Sequence, residues 1–450
     1  MEKKPIIIVG AGLCGCLLAV RLAQRGFYVK IYERRSDLRK IHVDAGRSIN
    51  LALSARGLKA LKQAGIQEEI LEECIPMRGR MIHPLGGEKF LSKYSGRDED
   101  YINSVSRPGL NKALLEVADR HDNVEFHFDC KVTDIDLSQA KIQYTKGDTQ
   151  LEEEGEIVIG TDGAGSIVRR SMMGQTTKLL FNYSQDFLRH GYKELSILPA
   201  DDNSWKIHKE ALHIWPRGEF MVIALPNLDG SFTLTMFHPY EGEAGFNTLN
   251  TPDKVEAFFD KYYPSLVPYI PHLKEEYFEN PVGTLGTIKC YPWQAYGKTL
   301  IMGDAAHAIV PFYGQGMNAS LEDVRVFDNL IGDNGDDWNK IFTTFQNIRK
   351  QNADAIADLA IDNFFEMRDH VDDEDFKRKR KIEMQLEQEY PKYYSKYSLV
   401  TFRSDLTYRH AMIQGRAQDE MLLKMVMEEG HEDLKLEDYY DKVRLFSARL

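Results

Sequence analysis

Asp304 ends a short apolar run, Thr299-Leu300-Ile301-Met302-Gly303, and is followed by Pro311-Phe312-Tyr313-Gly314-Gln315-Gly316-Met317-Asn318, which opens a helical pattern. A carboxylate at a strand end can accept a hydrogen bond from a sugar or polyol hydroxyl. Backbone N–H groups of Gly316, Met317 and Asn318 at a helix start favour negative charge, such as a reduced flavin carries on its N1/C2=O edge. Gly-Asp alone marks only a turn. It gains meaning from two strand ends upstream. Ile6-Ile7-Ile8-Val9 runs straight into Gly10-Ala11-Gly12-Leu13-Cys14-Gly15 and a helical pattern carrying Leu17, Leu18, Val20 and Leu22; a second strand, 28–32, leads to Glu33. This is the dinucleotide fingerprint, with glycines for the turn, for backbone approach to a pyrophosphate and for helix–strand packing. A carboxylate at Glu33 bonds ribose hydroxyls and repels a 2′-phosphate, which suits FAD or NAD rather than NADP. The third strand end is Ile157-Val158-Ile159-Gly160-Thr161-Asp162-Gly163, followed by the basic pair Arg169-Arg170.

These three motifs, in this order, resemble the single-component aromatic flavin monooxygenases, the family of 4-hydroxybenzoate hydroxylase. The segments Arg47-Ser48-Ile49-Asn50-Leu51-Ala52-Leu53-Ser54 and Leu212-His213-Ile214-Trp215-Pro216-Arg217, with 76–83, 224–227, 231–237 and 311–318, are similar to its kynurenine-hydroxylating members. The resemblance implies bound FAD, with NADPH and O2 as co-substrates. It implies hydroxylation of L-kynurenine to 3-hydroxy-L-kynurenine through a flavin C4a-hydroperoxide, in tryptophan catabolism and quinolinate-derived NAD biosynthesis. For the cofactor it adds Leu13, Arg34, Arg35, Ala52, Arg107 and Val132 to Gly10, Gly12, Gly15, Glu33, Asp162, Asp304, Gly316, Met317 and Asn318. An α-amino acid substrate calls for a bidentate arginine. The resemblance gives that role to Arg80, with Tyr94, Asn363 and Tyr397 completing the polar cradle; Phe237, Pro311 and Phe312 wall the ring, and Met367 lies one helical turn from Asn363. No catalytic side chain and no metal is expected, because the flavin performs the chemistry while the protein orients it and keeps water out. Family members often have His where this chain has Tyr313, and His307 reads as a packing residue rather than a catalyst. Two alternatives stay open: hydroxylation of another aromatic acid, and a non-catalytic FAD-binding interaction module. A flavin halogenase is disfavoured, because Trp205, Trp215, Trp293 and Trp338 form no Trp-x-Trp pair.

The elements that must position these residues belong to a soluble, mixed chain of 450 residues, with 28% charged and 43% hydrophobic residues. The net charge of −12 disfavours nucleic acid and anionic membranes as partners. The basic run 377–381 beside the acidic 372–375 reads as a solvated, charge-balanced face. Five scattered cysteines show no metal-ligand spacing and suit a reducing compartment. No apolar stretch approaches the ~20 residues of a membrane span, the N-terminus opens directly into a strand, and the charged 434–441 segment gives no anchor. A cytoplasmic monomer or homodimer is expected. The fold class is α/β (α+β overall). It comprises a Rossmann-like FAD-binding domain (1–72, 102–180 and 281–330), an inserted antiparallel-sheet substrate domain (73–101 and 181–280) and a helical C-terminal region (331–450). Helices are expected at 55–71, 111–121 and 254–263, and a strand at 77–83 with Arg78 and Arg80 on one face.

Overall fold

The computed structural model describes residues 4–40, 50–369, 374–428 and 434–447. The Arg47-Ser48-Ile49 part of one motif therefore lies outside the described residues. Uninterrupted apolar runs such as Ile6–Val9 and Ile157–Gly160 are buried along their whole length, as strands covered on both faces must be. They build a six-stranded sheet in the order Gln294–Ala295, Thr299–Ile301, Ile157–Gly160, Ile6–Val9, Val29–Tyr32, Val124–His127. All neighbours are parallel except the first pair. Gly160 stands opposite both Val9 and Ile301, so the three motif-bearing strands end side by side at one edge.

A seven-stranded sheet is ordered Gly283–Tyr291, Asn182–Ile197, Phe232–Pro239, Phe220–Pro226, Ala211–Arg217, Gly79–Ile82, Phe90–Lys93. It is antiparallel with one exception: Ala211–Arg217 runs parallel to Gly79–Ile82, with Leu212 opposite Arg80. Its two faces bury different cores, following the alternation of strand side chains. Trp215, Phe232, Leu234 and Met236 pack against Pro252–Tyr262 and Leu273–Glu279. Ile214 and Phe237 face the other way, towards the helix Trp338–Asp369. Cys74–Met77 pairs instead with Ile102–Ser106, in a small sheet with Asn50–Leu53. Helices Gly316–Asn334, Trp338–Asp369, Glu374–Glu389, Lys396–Thr401, Tyr408–Met427 and Leu436–Ser447 complete the chain. Among the described residues no helix is long and apolar enough to cross a membrane.

Several expectations change in detail. The helix expected over 55–71 is two, Ala55–Ala64 and Gln67–Glu72, because Gly65 takes φ 77° and ends the first. The helix expected from 111 already begins at Arg107, where Ser106 caps it and Pro108 fits the first turn. The strand expected over 77–83 is Gly79–Ile82; Arg78 lies outside it, exposed, against Glu210. The basic run is not simply solvated. Lys379 is 3% exposed and paired with Asp419 at 2.8 Å and Glu383 at 3.5 Å.

Candidate active site

The three fingerprint glycines divide their work as the motif requires. Gly10 adopts φ 103°, and a Cβ there would sit 2.8 Å from the Asp162 Cα. A Cβ on Gly15 would lie 2.1 Å from the Gly10 carbonyl oxygen, so only glycine lets this helix approach its strand. A Cβ on Gly12 would meet nothing within 4 Å. The space beside Gly12 is open, and its neighbour Leu13 starts the helix Leu13–Gln24. Glu33 is buried; its Oε2 accepts from the Ala11 N–H at 2.9 Å and its Oε1 from the Arg35 N–H and Nε. Burial opposes its ionisation, but the Arg35 side chain and both amides outweigh that and hold it below the usual carboxylate range.

Beside these residues lies a cavity of about 290 Å³ lined by Gly10, Arg34, Lys131, Val132, Asp162 and Arg170. Asp162 Oδ2 accepts from the Ile167 N–H at 2.6 Å, while Oδ1 is buried with no partner among the described residues. Burial pushes the Asp162 carboxyl up. The half-buried Asp304 follows Gly303, at φ 59°, and no hydrogen bond or ion pair among the described residues engages its carboxylate. The helix Gly316–Asn334 presents the first-turn N–H groups of Gly316, Met317 and Asn318, which lack intrahelical acceptors. The Asn318 side chain is already committed: its Oδ1 accepts from the Ser54 N–H, and its Nδ2 donates to the Ala52 and Gly314 carbonyls. It locks the loop to the strand carrying Ala52. Arg107 is exposed at the start of its helix. Acceptor oxygens on Asp162 and Asp304 without a partner among the described residues, cations for phosphate and open space at Gly12 together fit an adenine–flavin dinucleotide.

A second group of side chains gathers on the face of the long sheet that is turned towards the helix Trp338–Asp369. The Arg80 guanidinium lies 4.5 Å from the Tyr397 ring and 5.3 Å from the Tyr94 ring. Those rings stack at 5.7 Å and 10°, and Tyr313 stacks on Tyr397 at 5.6 Å. Cation–π contact steadies the guanidinium. Burial opposes its charge, yet the tyrosines offset this and Arg80 remains a cation. No carboxylate among the described residues pairs with it, although the chain contains 69 acidic residues. The Tyr94 hydroxyl is likewise buried without a partner among the described residues. Beside them Phe237 and Phe312 meet at 5.0 Å, and Phe312 and Phe364 at 4.5 Å. Asn363 Nδ2 donates to the Phe312 carbonyl at 2.6 Å, fixing the turn Pro311–Tyr313. The Met367 side chain lies outside the described residues.

Behind Asp304 runs a buried charge network. Asp323 accepts from the Gly303 N–H at 2.9 Å, from His307 Nε2 at 2.5 Å and from Arg349 Nε at 2.6 Å. Arg349 reaches Glu322 at 2.6 Å, and Arg56 joins Glu322 at 3.1 Å.

A sequence model described as the FAD binding domain matches residues 3–185 and 280–359, skipping most of the long sheet. A protein of Myxococcus xanthus named kynurenine 3-monooxygenase is 46% identical over 421 residues, covering 93% of this chain and 90% of that one. One of the same name from Dictyostelium discoideum is 44% identical, covering 97% and 95%. The chain belongs to the kynurenine 3-monooxygenase family. It is thus an FAD-dependent monooxygenase. The fold is shared more widely: the structure of 2-methyl-3-hydroxypyridine-5-carboxylic acid oxygenase superposes with a TM-score of 0.66 at 18% identity, covering 82% of this chain and 94% of that one.

Sequence reasoning missed Asp323, Glu322 and Arg349. A signal was present: Glu322-Asp323 lies between Leu321 and Val324 in the helix Gly316–Asn334, where all four are buried. Acidic residues on a buried helix face require partners.

Proposed function

We propose that this member of the family hydroxylates L-kynurenine at ring position 3, with NADPH as reductant and O2 as oxidant. The observation that carries the proposal is Arg80, a cation lying against two stacked tyrosine rings with no carboxylate among the described residues to pair with it. A protein retains such a cation for a ligand anion, and a planar fork suits a carboxylate. In this reading Arg80 grips the substrate α-carboxylate, with the Tyr94 hydroxyl as a second donor and Tyr397 holding the guanidinium plane. Phe237, Phe312 and Pro311 flank the aromatic ring, and Asn363 keeps the Phe312 turn in place. Gly10, Gly12, Leu13, Gly15, Glu33, Arg34, Arg35, Ala52, Arg107, Val132, Asp162, Asp304 and the Gly316–Met317–Asn318 turn hold FAD. When bound and reduced, FAD supplies the activation of O2 and the transfer of one oxygen atom to the ring. The substrate's own amino group makes the adjacent ring carbon electron-rich, so the chain needs no strong base. Its task is to fix the ring and exclude water. The test is to incubate the purified holoenzyme with NADPH and L-kynurenine under air and identify the product by mass and ring position. The expected product is one oxygen atom heavier and hydroxylated at position 3. NADPH oxidation yielding only H2O2, or faster turnover of an aromatic acid lacking the amino acid side chain, would overturn the proposal.

A further inference from the structure

Tyr94 and Tyr397 come from distant parts of the chain, yet their rings stack over Arg80. Something must hold the two backbones in register. Glu387, 1% exposed on the helix Glu374–Glu389, touches both. Its Oε2 accepts from the Gly96 N–H at 2.8 Å, two residues beyond Tyr94. Its Oε1 accepts from the Ser395 N–H at 2.8 Å, two residues before Tyr397. Ser395 in turn caps the helix Lys396–Thr401, which carries Tyr397.

The junction is close-fitting. A Cβ on Gly96 would lie 2.3 Å from the Met384 carbonyl oxygen and 2.9 Å from the Glu387 Cβ, so the loop after Tyr94 lies directly on this helix. Arg380, on the same helix, donates to the Tyr94 carbonyl at 2.6 Å. Arg97 Nη1 lies 3.8 Å from Glu387 Oε1 as an ion pair, while its Nη2 donates to the Tyr393 carbonyl at 2.6 Å. A buried carboxylate whose hydrogen bonds go to two backbone N–H groups ties those two backbones together, whatever the Arg97 charge adds.

We propose that Glu387 is a positioning residue for the carboxylate end of the substrate site: it ties the Tyr94 loop to the Tyr397 helix and so holds the two rings that keep Arg80 aimed. This rests on the reading of Arg80 as the carboxylate anchor. The contacts of Glu387 are to Gly96, Ser395 and Arg97, none of them a proposed substrate or cofactor residue, so its removal should act on substrate through Arg80.

The test titrates holoenzyme, followed by flavin absorbance without NADPH, with L-kynurenine and with an analogue lacking the α-carboxylate. The proteins are wild type, Glu387→Gln, Arg80→Ala and the double variant. Glu387→Gln turns an amide NH2 towards one of the two N–H groups. Losing one charge-assisted hydrogen bond should weaken kynurenine binding roughly tenfold while changing the analogue by less than about twofold. In the Arg80→Ala background the same change should add nothing for either ligand. Equal weakening of both ligands, or an undiminished effect in the Arg80→Ala background, overturns the positioning role and leaves Glu387 as plain structure. If Glu387→Gln yields no holoenzyme, Arg380→Gln probes the same junction from its partly exposed side and must show the same ligand-selective pattern, or the proposal falls. Arg80→Ala that binds both ligands as wild type does would defeat the anchor reading and the tether with it. Arg80→Ala that loses kynurenine selectively, beside a silent Glu387→Gln, would defeat the tether alone.

Discussion

Replacing Asp323 with Asn tests whether the buried network is what holds the Gly303–Asp304 turn against the cofactor. Asp323 is fully buried and takes three donors, from Gly303, His307 and Arg349. Asn has one acceptor oxygen, and its NH2 would face a donor. Unpairing a buried charge costs about 3–5 kcal/mol. Arg349 keeps Glu322 at 2.6 Å and the Ala319 carbonyl at 3.2 Å, so the low end applies, about 3 kcal/mol. Against a total stability of roughly 5–15 kcal/mol this is large. The acid side gives an independent check. Burial opposes the Asp323 charge, but His307 and Arg349 outweigh it and hold the group at about 2, against an ordinary 3.8. That depression is worth about 2 kcal/mol at neutral pH. Because the folded value lies below the unfolded one, the stabilisation is complete above about pH 4 and is lost as pH falls towards 2. Urea unfolding by circular dichroism, with released FAD measured in parallel, should show Asp323→Asn unfolding at lower urea at pH 7 and shedding FAD before global unfolding. The gap to wild type should narrow at pH 3. Unchanged FAD retention and an unchanged midpoint, or a gap as wide at pH 3 as at pH 7, would refute the reasoning.

Gly12→Val should leave the far-ultraviolet circular dichroism intact, since a Cβ there meets no protein atom within 4 Å, yet abolish the flavin absorbance of the purified protein. Arg80→Ala should weaken L-kynurenine binding by about a hundredfold or more at unchanged FAD content, as loss of one partner of a buried charge pair does. Arg80→Lys should recover only part of this, since a point charge cannot replace the fork; ligand titration of the two variants decides it. His83 and His213 share a hydrogen bond at 2.9 Å, and burial lowers them to about 3 and about 4. Both are held neutral in the fold while the unfolded chain takes up protons near pH 6.5, so stability should fall as pH drops from about 6.5 towards 4. His213→Asn should show a shallower loss in urea midpoints measured across that range.

The cofactor half of the protein was legible because its signals are local. Gly10, Gly12 and Gly15 sit within six residues, and each of the three motif strands carries its own terminal Asp or glycine turn. Sheet order then follows from burying apolar strands on both faces, and the edge that gathers Val9, Gly160 and Ile301 needs no long-range information beyond that. The proposed substrate half rests, in the sequence, on resemblance alone. Nothing near Arg80 in the chain says that it will meet Tyr397, over 300 residues away, or that Arg78, two positions earlier, will turn to Glu210 instead. The break at Gly65 and the burial of Lys379 escaped for related reasons. The first depends on one glycine adopting positive φ, and the second on a partner, Asp419, forty positions on.

The two halves of the proposed substrate site also differ in how they are held. Phe237 and Ile214 project from a continuous sheet, and Phe237 is clamped from both sides of its strand by the pairings with Tyr192 and Met221. An aromatic wall of that kind is set by strand register, and a slip of one residue would turn Phe237 into the opposite core. Arg80 lies on the short strand Gly79–Ile82, between Ala211–Arg217 and the edge strand Phe90–Lys93, and the rings above it come from a loop and a six-residue helix. Elements so short have little intrinsic stability. Their geometry must come from tertiary tethers, and charged groups reaching to backbone amides and carbonyls supply them: the buried Glu387 to Gly96 and Ser395, and the half-buried Arg380 to Tyr94. It follows that substitutions in the sheet core should disturb where the ring sits and how well water is excluded, whereas substitutions in the C-terminal helices should change how tightly a carboxylate is gripped.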